Sequence, residues 1–264
     1  MTGIPRRSTY YEPVPRAPAP VDASTRELVH DVAKERPSFG YRRVTAMVRR
    51  RSGRAVNSKR VRRIMKLDKL ALKPGAQPPR KRLPKHPGKI LTTTPDTAWQ
   101  MDGKYVWCGR DRWLVLQNVV DTCTGEWIGY WFDKRYRKQE VVQLVEQVAL
   151  ARWPQTGRAP GTKLRMDNLR AYSSDLVVET AEALGFQVEF IQNHLPEDNG
   201  MVESFHASLD RDYLNLVEFE SRQEAEAHLA WAWKDYNEVK PKERLDWKTP
   251  REFYLEVTKN ANKK

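Results

Sequence analysis

The sequence predicts an α/β domain, a mixed sheet flanked by helices, preceded by a small helical module. All nine tryptophans fall at or after Trp99, so the large apolar core belongs to the C-terminal part. Segments with the two-residue period of strands alternate there with segments of helical period. Residues 1–94 instead hold 24 Lys and Arg against 6 Asp and Glu, which makes this half strongly basic.

The basic half divides into three predicted segments. Residues 1–23 are rich in proline and are expected to be extended, residues 24–73 form the helical module, and residues 74–94 form a basic linker. Helical patterns run over about 24–36, 41–51 and 57–70, and Asn57 or Ser58 can cap the third helix.

The third helix has an inward stripe of Val61, Ile64 and Met65 surrounded by basic residues. Short helices that end in a basic one are typical of a helix-turn-helix module, whose last helix enters the major groove of DNA. The alternative is a solvated basic face without a ligand. The candidate DNA-binding residues are Arg42, Arg43, Lys59, Arg60, Arg62 and Arg63, together with Arg211 farther along.

Residues 95–264 alternate strands and helices. Strand patterns at about 98–107, 112–121 and 126–132 predict an antiparallel meander, and a helical pattern follows at about 138–152. A short strand at 163–166, a helix near 174–184 and a strand near 187–191 come next. The Glu203 helix has a predicted buried stripe of Val202, Phe205, Leu209, Tyr213 and Leu216, and Ser221 to Glu224 cap a last long helix through Tyr236.

Three carboxylates stand where these elements can present them. Asp102 lies on the polar side of the first strand, opposite the apolar side formed by residues 99, 101, 105 and 107. Asp167 ends the 163–166 strand, and Glu203 falls in the first turn of its helix after the turn residues 198–200. Three such acids can hold two magnesium ions, which prefer carboxylate and phosphate oxygens and serve phosphoryl transfer.

Each acid, taken alone, also fits a structural role. Asp102 fits a solvated strand position, Asp167 a turn, and Glu203 an acid favoured near a helix N-terminus. Asp121 is interpreted as a turn residue, and His206 as a surface histidine with contact to metal-bound water or DNA as the alternative. His194 is a loop residue for which a substrate contact is only weakly indicated. The tryptophans are expected to pack in the core, with base stacking as the alternative for one or two.

Three blocks around these acids resemble the signature blocks of DDE transposases. They are Trp99-Gln100-Met101-Asp102, Arg165-Met166-Asp167-Asn168 and the run 198–205 that contains Glu203. The closest resemblance is to the orfB-type transposases of two-frame bacterial insertion sequences, kin of retroviral integrases. Further matches at 40–44, 236–237 and 249–253 extend the resemblance over nearly the whole chain.

The resemblance implies a ribonuclease-H-like catalytic core with Asp102, Asp167 and Glu203 as its catalytic, metal-binding triad. It implies two Mg²⁺ ions, with Mn²⁺ as a substitute, and DNA strand cleavage and strand transfer of an insertion sequence. The expected partners are DNA, at the element ends and the target, and further copies of the chain in a paired-end complex. An upstream-frame partner or fused segment is also expected to read the terminal repeats.

Two positions depart from the family pattern. Leu169 stands where the family usually has glycine soon after the second acid, and Asp210 stands where it has a basic residue seven positions after the glutamate. Arg211, one position later, offers a replacement cation. Asp210 is expected either to repel the DNA phosphates or to pair with Arg211 or a nearby lysine side chain. The departures motivate two alternatives, namely a non-catalytic or decayed DNA-binding protein such as a repressor, and a nuclease of the same fold.

Other functional classes find no support in the sequence. Cys108 and Cys123 are the only cysteines and lack metal-ligand spacing, so neither a zinc site nor a disulfide scaffold is expected. No apolar run approaches the ~20 residues that span a bilayer, and no signal peptide is expected. A cytoplasmic, nucleoid-associated location in a bacterium or archaeon is therefore expected, without a membrane partner.

Overall fold

A computed structural model describes residues 22–71, 92–191 and 200–261 of the chain. The predicted Pro-rich start, most of the predicted basic linker, His194 and the turn residues Asp198 and Asn199 lie outside these ranges. The first range folds into three helices, α1 (Ala23–Glu35), α2 (Tyr41–Ser52) and α3 (Ser58–Leu67). The helical module is thus where the sequence predicts it.

The module has its own small core. Val29, Val44, Val48, Val61 and Ile64 are buried and pack together, as the helical periodicity predicts. The Asn57 side chain caps α3 by accepting a hydrogen bond of 2.8 Å from the Lys59 backbone amide. The helix ends at Leu67, three residues before the predicted end, and the backbone turns at Lys69 with a φ of 55°.

The second range contains all five strands of the sheet. Its strands are β1 (Ala98–Cys108), β2 (Arg112–Asp121), β3 (Trp127–Asp133), β4 (Lys163–Met166) and β5 (Gln187–Phe190). Their order is β3-β2-β1-β4-β5; β1 pairs with β2, and β2 with β3, in antiparallel fashion, whereas β1–β4 and β4–β5 are parallel. The predicted meander is confirmed.

Helices cover both faces of the sheet. They are α4 (Lys138–Arg152), α5 (Asp175–Ala183), α6 (Gly200–Asp212), α7 (Arg222–Glu238) and α8 (Pro250–Ala261). One core joins the sheet to α4 and α5, and a second joins it to α6 and α7. The sequence interpretation ended at α7 and missed α8, which packs against it. None of the helices in the described ranges is long and apolar enough to cross a bilayer.

Helix α4 lies unusually close to the sheet at Gly129 of β3. A Cβ atom built on Gly129 would lie 2.6 Å from Cγ1 of Val148 on α4. Only glycine therefore allows the helix to settle at this distance.

Two predicted apolar stripes are only partly buried. Tyr105 and Trp107 share the strand face of the buried residues Trp99 and Met101, yet they are 69% and 51% exposed. The paired β1–β2 hairpin runs past the helices that cover this face, so its far end faces solvent. Leu216 lies beyond the end of α6 and is 50% exposed, so the predicted stripe of the Glu203 helix ends before it.

The basic module is docked on the core through arginine–carboxylate pairs. Arg36 Nη1 donates to Asp235 Oδ2 over 2.8 Å, Arg42 Nη1 to Glu243 Oε1 over 2.7 Å, and Arg43 Nη1 to Asp212 Oδ2 over 3.0 Å. Arg50 pairs with Glu252 at the start of α8. The excess positive charge of the module thus meets the net negative charge of the C-terminal part.

Asp212 is the most enclosed of these acceptors, with a side chain 1% exposed. It accepts from Arg43, from Arg211 Nε at 2.9 Å and from Lys240 Nζ. Burial opposes its ionisation, but the three cations outweigh it and hold the pKa of Asp212 below its usual range. One buried carboxylate therefore joins the module to the ends of α6 and α7.

We expect Asp212→Asn to lower the free energy of unfolding at pH 7 by about 3–5 kcal/mol, because it leaves three cations around an uncharged amide. Since the folded-state pKa lies below the unfolded value near ~3.9, the stabilisation is present above that pH and is lost as the pH falls. Urea unfolding at pH 7 and at pH 3 should therefore show a smaller difference between wild type and variant at pH 3.

The matched control is Asp31→Asn on the exposed side of α1, which should change stability little at either pH. An Asp212→Asn deficit of the same size at both pH values would contradict the assignment.

Candidate active site

Asp102 lies in the middle of the central strand. It is opposite Asn118 of β2, is partly buried, and accepts a 2.8 Å hydrogen bond from the Gly103 backbone amide through Oδ1. A solvated strand position was the alternative to a catalytic role for Asp102. Helix α6 covers this face, on which Gln100 is 2% exposed.

Asp167 immediately follows β4, the strand that runs parallel to β1. The register pairs Gln100 with Arg165, so the chain reaches Asp167 beside Asp102 two residues farther along. Both aspartates raise the pKa values of Tyr136 and Tyr172, in addition to the larger effect of burial on these phenols. The two carboxylates therefore influence the same two tyrosines near the carboxyl end of β4.

Glu203 is on the first turn of α6 and is exposed. The backbone amide of its neighbour Val202 donates a 3.1 Å hydrogen bond to Gln100 Oε1, which fixes the start of α6 against β1. His206 lies one turn later, so it shares the flank of Glu203, and its Nδ1 is 3.9 Å from Asp102 Oδ2. The helix thus brings Glu203 to the side of the sheet that carries Asp102.

His206 is more enclosed than its predicted surface position, with a side chain 14% exposed. Its Nε2 lies 3.0 Å from Nδ2 of Asn118, an amide donor, so the ring proton is assigned to Nδ1, which faces Asp102. Burial and the nearby Lys104 lower the pKa of His206 to about 4. The ring is therefore neutral at pH 7 and orients the Asp102 side of the site without adding charge.

The donor set fits a hard divalent cation in kind, since all three groups are carboxylates. Burial raises the pKa of Asp167, and its Oδ1 accepts a 3.0 Å hydrogen bond from the Leu169 backbone amide. Across the described ranges, no three His, Cys, Asp or Glu side chains are close enough together to share a metal ion.

The wall behind the site contains residues that the sequence did not single out. A Cβ on Gly103 would lie 2.2 Å from Gln117 Nε2, so glycine is what lets this buried glutamine pass behind Asp102. The Tyr172 hydroxyl donates to Gln117 Oε1, and the Tyr136 ring meets the Tyr172 ring edge-on at 5.7 Å. A glycine directly after an acid inside a strand was the only local signal.

Asp210 forms an ion pair with Lys104, two residues after Asp102 on β1. Its charge is thus already offset, in line with the second of the two predicted outcomes. Arg211, the expected replacement cation, turns instead to Asp212, although its side chain remains 47% exposed.

The candidate DNA-binding residues fall into two groups. Lys59, Arg60 and Arg62 are exposed on α3, with Arg62 5.5 Å from the ring centre of Tyr41, and Arg63 is partly buried. Arg42, Arg43 and Arg211 are engaged in ion pairs with carboxylates of the core. The exposed Lys59, Arg60 and Arg62 can meet a phosphate from the solvent side of α3.

The other candidates have structural roles. Asp121 is fully buried and accepts hydrogen bonds from the backbone amides of Asp96 and Thr124 at 2.9 and 2.6 Å, so its predicted turn role is confirmed. Trp99 and Trp127 are fully buried, as expected for core residues. Trp107 and Trp113 instead form an exposed edge-to-face pair, 5.3 Å between ring centroids.

Comparisons with known families cover most of the chain. Residues 92–196 and 184–250 each match a family described as "Integrase core domain", and residues 22–78 match a family described as "HTH-like domain". The matched ranges follow the division into a helical module and a sheet domain.

Individual relatives agree. The chain is 32% identical over 232 residues to "Transposase InsD for insertion element IS2A/D/F/H/I/K" of Escherichia coli, covering 85% of this chain and 76% of the relative. Transposase InsD for insertion element IS2-9 of Escherichia coli (strain K12) matches at the same identity, with 75% of the relative covered. Among solved structures, a simian T-cell lymphotropic virus intasome has the same fold, with a TM-score of 0.51 at 17% identity over 86% of this chain and 73% of that one.

We expect Asp210→Lys to destabilise the protein by about 1 kcal/mol, because it sets two ammonium groups against each other at Lys104, whose side chain is 15% exposed. Adding Lys104→Met should recover most of that loss, since the repulsion is then removed. Urea unfolding of the two single variants and the double variant measures the coupling. Additive effects would contradict the ion pair, and a rise in stability from Asp210→Lys alone would favour the repulsive role instead.

Proposed function

Because this chain belongs to the family of insertion-element transposases that carry an integrase core domain, we propose that Asp102, Asp167 and Glu203 are its catalytic, metal-binding residues. Family membership makes the chain a DNA transposase, a polynucleotidyl transferase, and favours this function over a repressor or a nuclease of the same fold. Transposases of this family act on DNA and generally use divalent metals.

The observation that carries the assignment is the convergence of Asp102 and Asp167. They come from adjacent parallel strands, and both raise the pKa values of Tyr136 and Tyr172. Asp167 is half-buried and has no ion-pair partner among the described residues. Such an arrangement is unfavourable unless a cation compensates the charge. Glu203 supplies the third carboxylate from the helix that begins against β1.

The proposed reaction consists of two phosphodiester exchanges. In the first, a water oxygen forms a bond to phosphorus at the end of the element, the bond to the 3′ oxygen breaks, and a 3′-hydroxyl is released. In the second, that hydroxyl forms a bond to a phosphorus of the DNA to be joined, and the 3′ oxygen of that strand leaves. One P–O bond forms for each that breaks in the joining step, so no external energy source is needed.

The residues of the chain have distinct parts in this proposal. Asp102, Asp167 and Glu203 would hold two Mg²⁺ ions, or Mn²⁺ in their place, and the bound ions would supply Lewis-acid activation of the attacking oxygen and stabilisation of the leaving one. Neutral His206 and the Gln117–Tyr172 pair keep Asp102 in place from the protein side. Cationic side chains of the module neutralise the phosphates.

The partners follow from the same assignment. DNA at the element ends and at the target is the substrate, and the exposed cations of α3 are proposed to read or hold it in the major groove. We also propose that copies of the chain pair two element ends, and that an upstream-frame protein or fused segment recognises the terminal repeats.

We expect Asp102→Asn, Asp167→Asn and Glu203→Gln each to lower strand transfer by roughly a thousandfold or more, since metal catalysis supplies several kcal/mol. The amides keep the shape of the side chains, so DNA binding in EDTA should stay within about twofold of wild type. Purified protein, a labelled element-end duplex and Mg²⁺ provide the assay.

A second readout does not depend on activity. Mg²⁺ should raise the midpoint of thermal unfolding of the wild type, and Asp102→Asn and Asp167→Asn should lose this shift. Asp175→Asn, an exposed acid at the start of α5, is the matched control and should keep it. Near wild-type transfer by any one of the triad variants would remove that residue from the triad.

The α3 cations generate a further prediction. Arg60→Ala combined with Arg63→Ala should weaken binding of duplex DNA and reduce the slope of log K against log salt by up to about 1.8, since each phosphate contact contributes ~0.9. Fluorescence anisotropy between about 50 and 200 mM salt measures it. Lys34→Ala on exposed α1 is the control, and an equal loss from that variant would refute a specific role for α3.

A further inference from the structure

A cavity of about 530 Å³ lies between the helical module and the core. One side is the start of α2 at Gly40 and Tyr41, and the opposite side is the segment 240–244 that follows α7. The base is the flank of α6 that carries Ser204, Ala207 and Ser208. This cavity, called here the junction pocket, is separate from the residues assigned above to the metals.

The junction pocket is lined by an excess of positive charge. Among the described residues, Glu243 is its one acidic lining residue. The basic side chains that line it there are Arg42, Arg43, Arg211, Lys240, Lys242 and Arg244. Asp212 beneath the pocket offsets part of this charge through its pairs with Arg43, Arg211 and Lys240. Glu243 pairs with Arg42 at the rim. In the described part of the chain, the basic side chains at the pocket thus outnumber the carboxylates that form ion pairs with them.

Lys242 and Arg244 account for the uncompensated charge. Lys242 Nζ donates to the Gly125 carbonyl at 2.8 Å and to the Tyr236 hydroxyl at 2.6 Å, and Arg244 Nη1 donates to the Cys123 carbonyl at 2.7 Å. Among the residues that the structure describes, neither forms an ion pair with a carboxylate. Burial and the neighbouring Arg244 and Lys240 lower the pKa of Lys242, so an anion that entered the pocket would favour its charged form.

Charge of one sign concentrated in a partly enclosed space is costly unless an anion enters it. The donors are of the kind that phosphate oxygens accept, since ammonium and guanidinium groups surround the cavity and the Ser204 and Ser208 hydroxyls lie at its base. The small residues on α6 leave room for a group of that size.

We infer that the junction pocket binds a phosphate group of the DNA backbone, with Lys242, Arg244 and Lys240 as contacts that the sequence did not indicate. This inference rests on the proposed function, because it concerns the same DNA. Ser204 lines the pocket and directly follows Glu203. When one phosphate of a DNA strand lies at the triad, a neighbouring phosphate of the same strand is therefore within reach of the pocket. The bound phosphate would tie the helical module and the core to one strand.

The test uses the full chain and a labelled element-end duplex in EDTA, so that no strand is cut. Arg244→Gln and Lys242→Gln should each reduce the slope of log K against log salt by about 0.9. Both residues also hold backbone carbonyls, so Ser204→Glu provides a variant that removes no such contact. It places a carboxylate at the exposed base of the pocket and should weaken DNA binding by roughly tenfold or more.

Matched controls separate a pocket effect from a general change of charge. Lys234→Gln, at an exposed position of α7, removes one positive charge and should leave the salt slope unchanged. Gln223→Glu adds a carboxylate at an exposed position in the first turn of α7 and should leave DNA affinity unchanged. Folded pocket variants that keep the wild-type slope and affinity would overturn the inference.

A second arm distinguishes the backbone from a free phosphate. Inorganic phosphate, compared with chloride at equal ionic strength, should raise the thermal unfolding midpoint of the wild type, and Ser204→Glu should abolish this shift. Loss of the phosphate shift with unchanged DNA binding would overturn the assignment to DNA. The binding assay in EDTA does not depend on catalysis, so this inference and the proposed function can fail separately. If the triad variants lose strand transfer while the pocket variants bind DNA like the wild type, the inference is wrong and the proposed function stands.

Discussion

The position of the central strand β1 is the constraint on which the rest of the molecule depends. Its alternation sends Trp99 and Met101 into one core and Gln100 and Asp102 toward α6, so both faces are committed for the first half of the strand. A slip of one residue would turn the charge of Asp102 into the core under α4 and α5 and turn Trp99 toward α6. The register with β2 and β4 therefore fixes Asp102 beside the end of β4, and hence beside Asp167.

The carboxylates of the core divide into two kinds by their surroundings. Asp212 and Asp235 are buried among arginine, lysine and tyrosine donors and serve the attachment of the module. Asp167 is half-buried and accepts a 3.0 Å hydrogen bond from the Leu169 backbone amide. Neighbouring cations lower the pKa of Asp212, whereas burial raises the pKa of Asp167. The same residue type is thus held as an ion by cations in one place and is harder to ionise in another.

The sequence was sufficient for the features that depend on local pattern. Two-residue alternation located β1 to β3, and Asn57 marked the start of α3, because neighbours in sequence decide both. It was insufficient where distant residues meet: Arg43 and Asp212 are 169 positions apart, and no local pattern records such a pair. The exposure of Trp107 could not be predicted for a related reason, since its burial depends on how far α4 and α5 extend over the hairpin. The grouping of the three acids came from family resemblance, and spacing alone left structural roles open for each.

The ion pairs also decide which cations of the module are available to DNA. A cation already paired with a carboxylate gains less from a phosphate, because the old pair must break or be shared. Arg42 and Glu243 are both about 60% exposed, so a phosphate can replace that pair at little cost. Arg43 is bound to a carboxylate 1% exposed and cannot be released without leaving a buried charge. Helix α2 therefore acts first as the attachment of the module to the core, and α3, whose Lys59 and Arg60 are exposed, is the helix that we propose meets the DNA.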